Sequence, residues 1–597
     1  MSLYNKRPSK RVAGSGGRVF RGDREILDCL RKDLIGDSWT LIVETYPGIN
    51  ENKVCRMLKE LKPDRIVSAR EILKDREKLD ILLDNILTQD RVFGRMYSGE
   101  LTDFVDLEKV NTIRSQIAVS QSVANQNETG LIAGSRNATG ESDSAGGRKV
   151  AIYGFGASLL ADEGLCVYAD MSRWEIQLRY RAGMPCYFTD KPDEDILKKF
   201  KQGYFLEWRI ADKWKMAFMD KMQYFIDANR DEDYVMIRSD LFEEVLRKEV
   251  SGPFRVVPYF DPGIWGGQWM KKVCGLDPKM DNYAWSFDGV PEENSICFDL
   301  DGTVLEMPAM NLILRHPKAL LGPKVYARFG AEFPIRFDFL DTIGGQNLSL
   351  QVHPTTDYIH RNFGMAYTQD ESYYILDAEE GACVYLGLKE GVEIADMIAE
   401  LEEAQRGGAP FDAEKFINKI PAKKHDHFLI PAGTIHCSGS GAMVLEISAT
   451  PYIFTFKLWD WGRLGMDGKP RPINISRGEK VIQERRTNWV MENLVSPVHT
   501  VTENAHYVEE HTGLHELEFI ETRRFTIQDC AELDCHESVN VLNLVDGARC
   551  LVESVDGSFE PYEVHYAETF IVPECVGRYR LRAIDGPVKI MQAYVRN

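Results

Sequence analysis

The sequence changes character near residue 253, and this change limits what each half of the chain can fold into. Before it, buried-strand patterns such as SWTLIVETYPG alternate with amphipathic helix patterns such as SAREILKDREKLDILLDNIL, which predicts an α/β arrangement. After it, short apolar, β-branched segments such as LSLQVHP and HFLIPAG are separated by Gly, Pro, Asp and Asn. Regularly spaced short strands of this kind predict antiparallel barrels or sandwiches.

Composition along the chain divides it further, and the length suffices for about three to five domains. A stretch rich in Ser, Asn, Gly and Ala predicts a linker or mobile loop between two parts of the α/β half. Inserted helices are expected in the β half, notably GVEIADMIAELEEAQRGG. The predicted segments are an α/β region at 1–114, a linker at 115–148, an α/β continuation at 149–252, a first β domain at 253–490 and a second at 491–597.

The net charge of −20 argues against nonspecific binding to nucleic acid or to anionic membranes. No apolar run is long enough to span a bilayer. The basic start, MSLYNKRPSKRVAGSGG, lacks the apolar core of a secretory signal. The twelve cysteines are scattered, without a C-x-x-C pair, which favours reduced thiols. We therefore expect a cytoplasmic protein with neither nucleic-acid nor membrane partners.

The histidines all lie at or after His316, so a histidine-ligated metal belongs to the β half. In LSLQVHPTTD, strand alternation places Gln351 and His353 on one face. Glu371 begins the strand-like ESYYIL, and His436 ends HFLIPAGTIH. Such nitrogen and oxygen ligands suit zinc, with Mn, Fe or Co as alternatives, and leave a position open for catalysis.

Other histidines compete with this set. A single histidine in a strand is more often structural than a ligand, but three such segments in sequence order strengthen the metal hypothesis. His425 and His427 in KKHDHF form a rival pair, expected to be exposed in a loop and ranked second. His360 is a weaker candidate, and Cys437 is expected to point to the other face.

P-x-G-x-x-H in HFLIPAGTIH is the second cupin motif, and the segments together resemble the type I mannose-6-phosphate isomerases, which are zinc cupins. The resemblance covers about 253–597, with its specific motifs between 260 and 476; they include FDPGIWGGQWM, LSLQVHPTTD, YTQDESYYIL and FKLWDWGRLGMDGKPRPINI. It implies two cupin (jelly-roll) β-barrels, the first holding one zinc per chain on Gln351, His353, Glu371 and His436. It also implies that mannose 6-phosphate and fructose 6-phosphate, or a related sugar or sugar phosphate, are interconverted by proton transfer through an enediol.

The sequence departs from this family where an anionic substrate would need cations. Two family lysines are replaced by Asp338 and Gln369, and a family arginine by Lys457, which keeps the charge but loses the guanidinium fork. Arg336 lies on the same strand face as Asp338 and could replace one cation. Lys457 is the candidate contact for the enediolate or phosphate, and Glu446 is a base, a support for the metal ligands or a structural acid. The alternative function is a zinc-binding, catalytically altered sugar-binding or regulatory protein.

SICFDLDGTVLEMP is similar to the signature of haloacid-dehalogenase phosphatases, with Asp299 and Asp301 in the acid positions. That activity requires a following Rossmann-like body with further motifs, whereas HPKALLG and FPIRFDFLD follow here. We therefore expect a β turn rather than a phosphatase.

The α/β half raises a nucleotide question. YGFGAS predicts a strand and a glycine turn, and four arginines fall in one region: Arg173, Arg179, Arg181 and Arg209. This vaguely resembles small P-loop kinases such as uridine kinases, but the chain contains no G-x-x-x-x-G-K-[ST] sequence. The favoured interpretation is a structural α/β domain with a solvated charged face. The alternative is a degenerate P-loop kinase-like domain that binds nucleotide.

Overall fold

The protein was analysed as a computed structural model, which describes residues 3–128, 149–449, 454–466, 468, 471, 473–495, 498–513 and 515–596. The chain forms two compact units. The N-terminal body comprises residues 10–245 and 297–308, and the C-terminal body comprises 1–9, 246–296 and 309–597. Among the described helices, none combines the length and the apolar composition that crossing a membrane requires.

The N-terminal body is built on a seven-stranded sheet in the order β2-β8-β7-β6-β3-β5-β4. Five of these strands, β7, β6, β3, β5 and β4, are parallel, whereas β8 is antiparallel to β7 and β2. The central strand WTLIVET is buried almost throughout, as expected for a parallel strand covered on both faces. The first strands are β1 Lys10–Val12, β2 Val19–Arg21, β3 Trp39–Thr45, β4 Arg65–Ser68, β5 Lys149–Gly154, β6 Leu165–Asp170, β7 Tyr224–Asp227 and β8 Val235–Arg238.

In the part of the chain that the structure describes, eight helices accompany this sheet, so this region has the predicted alternation of strands and helices. They are α1 Gly22–Asp33, α2 Glu51–Glu60, α3 Arg76–Leu87, α4 Leu107–Glu128, α5 Arg173–Arg181, α6 Ile196–Gln202, α7 Trp208–Phe218 and α8 Ser239–Val250. Residues 115–128 belong to α4 rather than to the predicted linker, because this stretch contains neither Gly nor Pro to end the helix. The rest of the predicted linker, 129–148, lies outside the described residues.

The C-terminal body begins with two antiparallel sheets, in the orders β18-β15-β20-β13-β10-β9 and β17-β16-β19-β14-β21. Their short strands, separated by turns, follow the pattern expected from the sequence. The strands are β9 Tyr259–Asp261, β10 Trp285–Gly289, β13 Arg336–Asp341, β14 Leu350–Val352, β15 Glu371–Ala378, β16 Cys383–Leu388, β17 Ile417–Pro421, β18 His427–Ile430, β19 His436–Ser438, β20 Ala442–Ser448 and β21 Phe456–Trp459. The intervening β11 Ser295–Leu300 and β12 Thr303–Pro308 form a hairpin that belongs mostly to the N-terminal body.

Short helices are inserted between these strands. They are α9 Trp269–Val273, α10 Met310–Arg315, α11 Pro317–Leu321, α12 Pro323–Phe329, α13 Thr356–Phe363, α14 Ile394–Gln405, α15 Ala413–Phe416, α16 Ile475–Gly478 and α17 Thr487–Asn493. The helix predicted from GVEIADMIAELEEAQRGG is confirmed as α14, which buries Met397, Ile398 and Leu401.

A second pair of antiparallel sheets follows, in the orders β22-β23-β24-β31-β26-β29 and β25-β30-β27-β28. They enclose an apolar core. A buried polar group lies within it: Asn540 Oδ1 accepts hydrogen bonds from Tyr579 (2.9 Å) and Gln592 (2.8 Å). The strands are β22 His499–Glu503, β23 Tyr507–His511, β24 Ile520–Ile527, β25 Cys530–Asp534, β26 Asn540–Asp546, β27 Arg549–Ser554, β28 Tyr562–His565, β29 Thr569–Val572, β30 Arg578–Ala583 and β31 Val588–Val595.

A buried ion-pair cluster connects the two pairs of sheets. Arg255 Nη1 lies 2.7 Å from Glu568, and Arg255 Nη2 lies 3.7 Å from Asp288. The Asp288 carboxylate also accepts the backbone N–H of Thr569 at 2.8 Å. All four side chains are buried, so the guanidinium neutralises two acids that water cannot reach.

The phosphatase-like segment forms the β11–β12 hairpin, and β11 pairs in parallel with β1. Asp301, at φ +49°, occupies the turn and accepts hydrogen bonds from the N–H and hydroxyl of Ser15 at 2.9 and 3.0 Å. Asp299 accepts the N–H of Gly302 at 2.7 Å. Both acids thus stabilise a turn, in agreement with the expected structural role.

Candidate metal centre

Three of the four predicted ligands meet between the first pair of sheets. Glu371 begins β15 in one sheet, His436 begins β19 in the other, and His353 follows β14. Glu371 Oε1 lies 2.8 Å from His436 Nε2, and Oε2 lies 3.2 Å from His353 Nε2. All three side chains are 0% exposed, so both sheets contribute to one buried cluster.

The backbone fixes the orientation of both imidazole rings. His353 Nδ1 bonds to the carbonyl oxygen of Phe454 at 2.8 Å, and His436 Nδ1 to that of Thr434 at 2.9 Å. Because a carbonyl oxygen only accepts, each Nδ1 carries a proton, and in the neutral ring Nε2 presents a lone pair to the cluster. Metal-binding histidines are typically oriented by such a bond.

Gln351 brings the fourth predicted ligand to the same place. It lies opposite His436 in the β14–β19 pairing, and its Nε2 lies 3.2 Å from His436 Nε2. Rotation of the amide group by 180° would present Oε1 to the cluster instead. The structure therefore brings all four predicted ligands together.

The cluster fits a divalent cation. In the neutral tautomers, His353 Nε2 and the Glu371 carboxylate are acceptors that face one another, and no donor satisfies His353 Nε2 among the residues that the structure describes. Burial raises the pKa of Glu371, but the positive charge that the imidazoles carry when they are protonated outweighs burial and holds that pKa well below its usual range. A charged carboxylate and two imidazole nitrogens, with an amide beside them, form a donor set that suits zinc.

The turn before His436 is held from three sides. Gly433, at φ +85°, donates its N–H to the carbonyl oxygen of His353 at 2.9 Å. Asp370 accepts the N–H of Ala432 at 2.7 Å. Arg485 donates to the carbonyl oxygens of Pro431 and Ala432 at 2.8 and 2.9 Å. These bonds connect the turn before His436 to the backbone of His353.

Strand pairing places further polar groups on the same face as Glu371. Across β13, β20 and β15, Arg336 pairs with Ser448 and Ser448 with Glu371. Two residues further along, the row is Asp338, Glu446 and Tyr373. Side chains two residues apart share a face of a strand, so one buried surface holds three acids and a single arginine.

The charges on this surface are strongly perturbed. Burial raises the pKa of Asp338 to about 6, although Arg336 lies 3.4 Å from its Oδ2 and opposes the rise. Burial, together with Glu371 and Asp338, raises the pKa of Glu446 well above its usual value. Arg336 therefore balances Asp338 and is not a free cation for a substrate.

Gln369 links Glu446 to the cluster, a role that the sequence reasoning missed. Its Nε2 donates to Glu371 at 2.9 Å and approaches Glu446 at 3.4 Å, while its Oε1 accepts the N–H of Phe454 at 3.0 Å. The sequence identified this position only as a lost lysine. The available signal was the spacing: Gln369 precedes Glu371 by two residues, and residues two apart in extended chain point to the same side.

Lys457 lies on the second sheet, paired across β14–β21 with Gln351. Gln351 is in turn paired with His436. Burial, together with Arg471, lowers the pKa of Lys457 to about 7. Arg471 is held by Asp460 at 2.8 Å. The sheet opposite the acids thus carries the basic groups.

The rival histidines lie away from the cluster. His427 is 0% exposed, contrary to the expectation of an exposed loop, and its Nδ1 lies 3.2 Å from the carbonyl oxygen of Thr512. His425 Nδ1 lies 2.8 Å from the hydroxyl of Tyr374. His427 pairs with Tyr374, whose side chain points away from the face of Glu371 and Tyr373 because strand residues alternate.

The four N-terminal arginines do not form one charged face. Arg173 is buried and pairs with Asp212. Arg181 lies over the ring of Trp174 at 5.4 Å, and Arg209 over that of Tyr204 at 4.5 Å. Arg179, unlike the other three, lines the cleft at the carboxyl ends of the parallel strands.

One of the comparisons with known proteins matches a range that lies largely in the N-terminal body. Residues 22–251 match the family described as a domain of unknown function, DUF8485. The chain is also similar to the mannose-6-phosphate isomerase of Streptococcus mutans, 28% identical over 223 residues, which is 37% of this chain and 64% of that relative. It is 27% identical to mannose-6-phosphate isomerase ManA of Bacillus subtilis over 238 residues, covering 39% of this chain and 68% of the relative.

Solved structures give further similarities. A mannose 6-phosphate isomerase from Bacillus subtilis aligns at 18% identity with a TM-score of 0.47, covering 58% of this chain and 100% of the other. A putative mannosephosphate isomerase from Archaeoglobus fulgidus aligns at 18% identity with a TM-score of 0.43, covering 58% and 98%. The chain spans about two thirds of the length of the curated relatives that it matches, since the first two shares are 64% and 68%.

Proposed function

We propose that the protein is a metal-dependent aldose–ketose isomerase that interconverts mannose 6-phosphate and fructose 6-phosphate, or a related sugar phosphate. The observation that carries this proposal is the buried cluster of His353, Glu371 and His436, with an acidic surface on one side and Lys457 on the other. The similarity to relatives named mannose-6-phosphate isomerases supports it. In this proposal the C-terminal body is a pair of cupin barrels, and the first holds one zinc ion.

Gln351, His353, Glu371 and His436 would hold the metal, which when bound polarises the oxygen atoms on C1 and C2 of the sugar. Glu446 is the candidate proton carrier between these carbons, because its buried carboxyl lies beside Glu371 on the interior face. Gln369 holds this carboxyl in place through a contact of 3.4 Å. A positioned carboxyl can exchange a proton with a carbon acid when the substrate lies within hydrogen-bond reach.

The two sheets recognise different parts of the substrate. Asp338 and Glu446 offer carboxyl groups to sugar hydroxyls, whereas the protonated form of Lys457 offers positive charge to a phosphate or to the enediolate oxygen. The phosphate therefore points toward β21. Arg336, which the sequence suggested as a replacement cation, orients Asp338 through their 3.4 Å ion pair.

The decisive experiment is a sugar-phosphate panel with the purified full chain, assayed with zinc and with a chelator. We expect metal-dependent interconversion of at least one aldose–ketose pair, and we expect Glu446→Gln to lower kcat by about 10²-fold or more while zinc stays bound. The exposed substitution Glu380→Gln serves as the matched control. Zinc-loaded protein that converts no sugar phosphate on the panel would refute isomerase activity.

A second candidate function is a sugar-binding or regulatory protein that holds zinc without turnover. The observation that favours it is the replacement of cationic positions by Asp338 and Gln369, while Arg336 is paired with Asp338 at 3.4 Å. Saturable binding of a sugar phosphate, with no conversion under zinc, would select this function.

We also propose a cytoplasmic location for the protein. All twelve cysteines are free thiols in the structure, as expected in a reducing compartment. Fractionation of the native cell, followed by detection of the chain, tests this location directly.

A further inference from the structure

A cleft of about 890 Å³ lies at the carboxyl ends of the parallel strands of the N-terminal body. Residues that end or follow each of β3, β4, β5, β6 and β7 line it. β3 and β6 are neighbours in the sheet, but the strand that follows β3 in the chain, β4, lies on one side of this pair, whereas the strand that follows β6, β7, lies on the other. In open parallel sheets, ligands bind where neighbouring strands lead in opposite directions.

The loop between β3 and α2 lines this cleft, together with the guanidinium groups of Arg70 and Arg179. Arg179 Nη1 approaches the carbonyl oxygen of Gly48 at 3.4 Å and is held by Glu175 at 3.0 Å. Arg70 pairs with Glu51 and lies over the ring of Tyr187, 4.3 Å from its centre. Both guanidiniums are therefore oriented before any ligand arrives.

The start of α2, a helix of ten residues, also lines the cleft. Asn50 caps it by accepting the N–H of Lys53 at 3.1 Å. The ammonium of Lys53 is already engaged, since it pairs with Asp23 at 2.9 Å, donates to the carbonyl oxygen of Asp231 and lies over the ring of Tyr234. Positive charge in the cleft thus comes from arginines and from the helix N-terminus, both of which favour phosphate oxygens.

The size and wall of the cleft narrow the class of ligand. Its volume lies near the upper end of the range for small-molecule sites, about 300–1,000 Å³, and exceeds what a hexose phosphate fills. Tyr153 also lines the wall, and its aromatic ring offers a flat surface for a base. Acids accompany the arginines, among them Glu51, Glu175 and Asp231, so phosphates would enter most favourably with a divalent cation.

We propose that this cleft binds a nucleotide together with magnesium, with the phosphates between Arg70 and Arg179 and the base against Tyr153. This site is separate in sequence from the candidate metal centre, so its test does not depend on isomerase activity. Lys53, in the first turn of α2, is bound to Asp23 and to the carbonyl oxygen of Asp231, so binding without catalysis is proposed.

Isothermal titration of the full chain with ATP, GTP, CTP and UTP in magnesium tests the proposal. We expect at least one nucleotide to bind, chelation of magnesium to abolish the binding, and Arg179→Gln and Arg70→Gln each to weaken it about ten- to hundredfold. The exposed substitution Arg24→Gln on α1 is the matched control and should leave affinity unchanged. Glu371→Gln should also leave it unchanged.

Unfolding midpoints of the ligand-free variants show whether each one is folded. The exposed Arg230→Gln, in the loop after β7, gives a third cleft variant with little effect on folding and should also weaken binding. Three results would overturn the proposal: no nucleotide binds in magnesium, binding persists unchanged in chelator, or the folded arginine variants bind as tightly as the parent chain.

Discussion

Replacing Glu371 by glutamine tests the metal centre with a change of only one charge and no volume. Its carboxylate faces both imidazole Nε2 atoms, at 2.8 and 3.2 Å, and it is the one negatively charged group among the four predicted ligands. Loss of a supporting group around a metal typically weakens binding 10–100-fold. Loss of a charged ligand should therefore cost about 100-fold or more, roughly 2.7 kcal/mol.

This loss has a measurable consequence for stability. At free zinc about 100 times the parent's dissociation constant, binding stabilises the parent fold by about 2.7 kcal/mol, and a hundredfold weaker variant by only about 0.4 kcal/mol. The assay is zinc titration against a chromogenic chelator, combined with denaturant unfolding with and without zinc. Glu380→Gln should behave as the parent chain. A Glu371→Gln protein that held stoichiometric zinc with unchanged affinity would refute the assignment of this ligand.

Three further predictions concern the supports of the fold and the centre. Arg255→Ala leaves Glu568 and Asp288 buried without their cation and should lower the free energy of unfolding of the C-terminal body by about 3–5 kcal/mol in urea; an unchanged transition would contradict the ion-pair cluster. Burial raises the pKa of Asp227 to about 7, so between about pH 4 and 7 the folded state binds more protons than the unfolded state. The free energy of unfolding of the N-terminal body should therefore fall by up to about 4 kcal/mol as the pH rises through that range. Asp227→Asn should flatten this dependence, and an equally steep profile would disprove its source. Gly433→Ala places a Cβ 2.5 Å from Gln483 Cγ at φ +85°, so zinc affinity should drop about tenfold or more as the turn shifts, and parent-like affinity would show that the turn does not position His436.

Local patterns in the sequence were sufficient to predict much of the C-terminal body. Alternation in LSLQVHP placed Gln351 and His353 on one face, and the turn in PAGTIH placed His436 at a strand end, so the sequence pattern and the family resemblance together predicted that these residues lie close to one another. The rest of the site depends on which strands are neighbours. The row of Asp338, Glu446 and Tyr373 exists because β20 lies between β13 and β15, a pairing that no single segment encodes.

The errors have similar physical origins. His427 looked exposed because charged residues precede it, but it is the first residue of β18 and is buried against Thr512. Residues 115–128 looked like a loop because they are polar, yet they contain no helix-breaking residue and continue α4. The cleft after the parallel strands is formed by residues from five separate strand ends, so sequence order alone could not assemble it.

The measurement that tests the proposed function most directly is zinc-dependent isomerisation by the full chain, followed by NMR with mannose 6-phosphate and fructose 6-phosphate in deuterated water. We expect interconversion with zinc, exchange of the transferred hydrogen with solvent, and loss of both in chelator and in Glu371→Gln. Protein that binds stoichiometric zinc at the His353–Glu371–His436 cluster, yet neither interconverts these sugars nor exchanges their hydrogen, would contradict it.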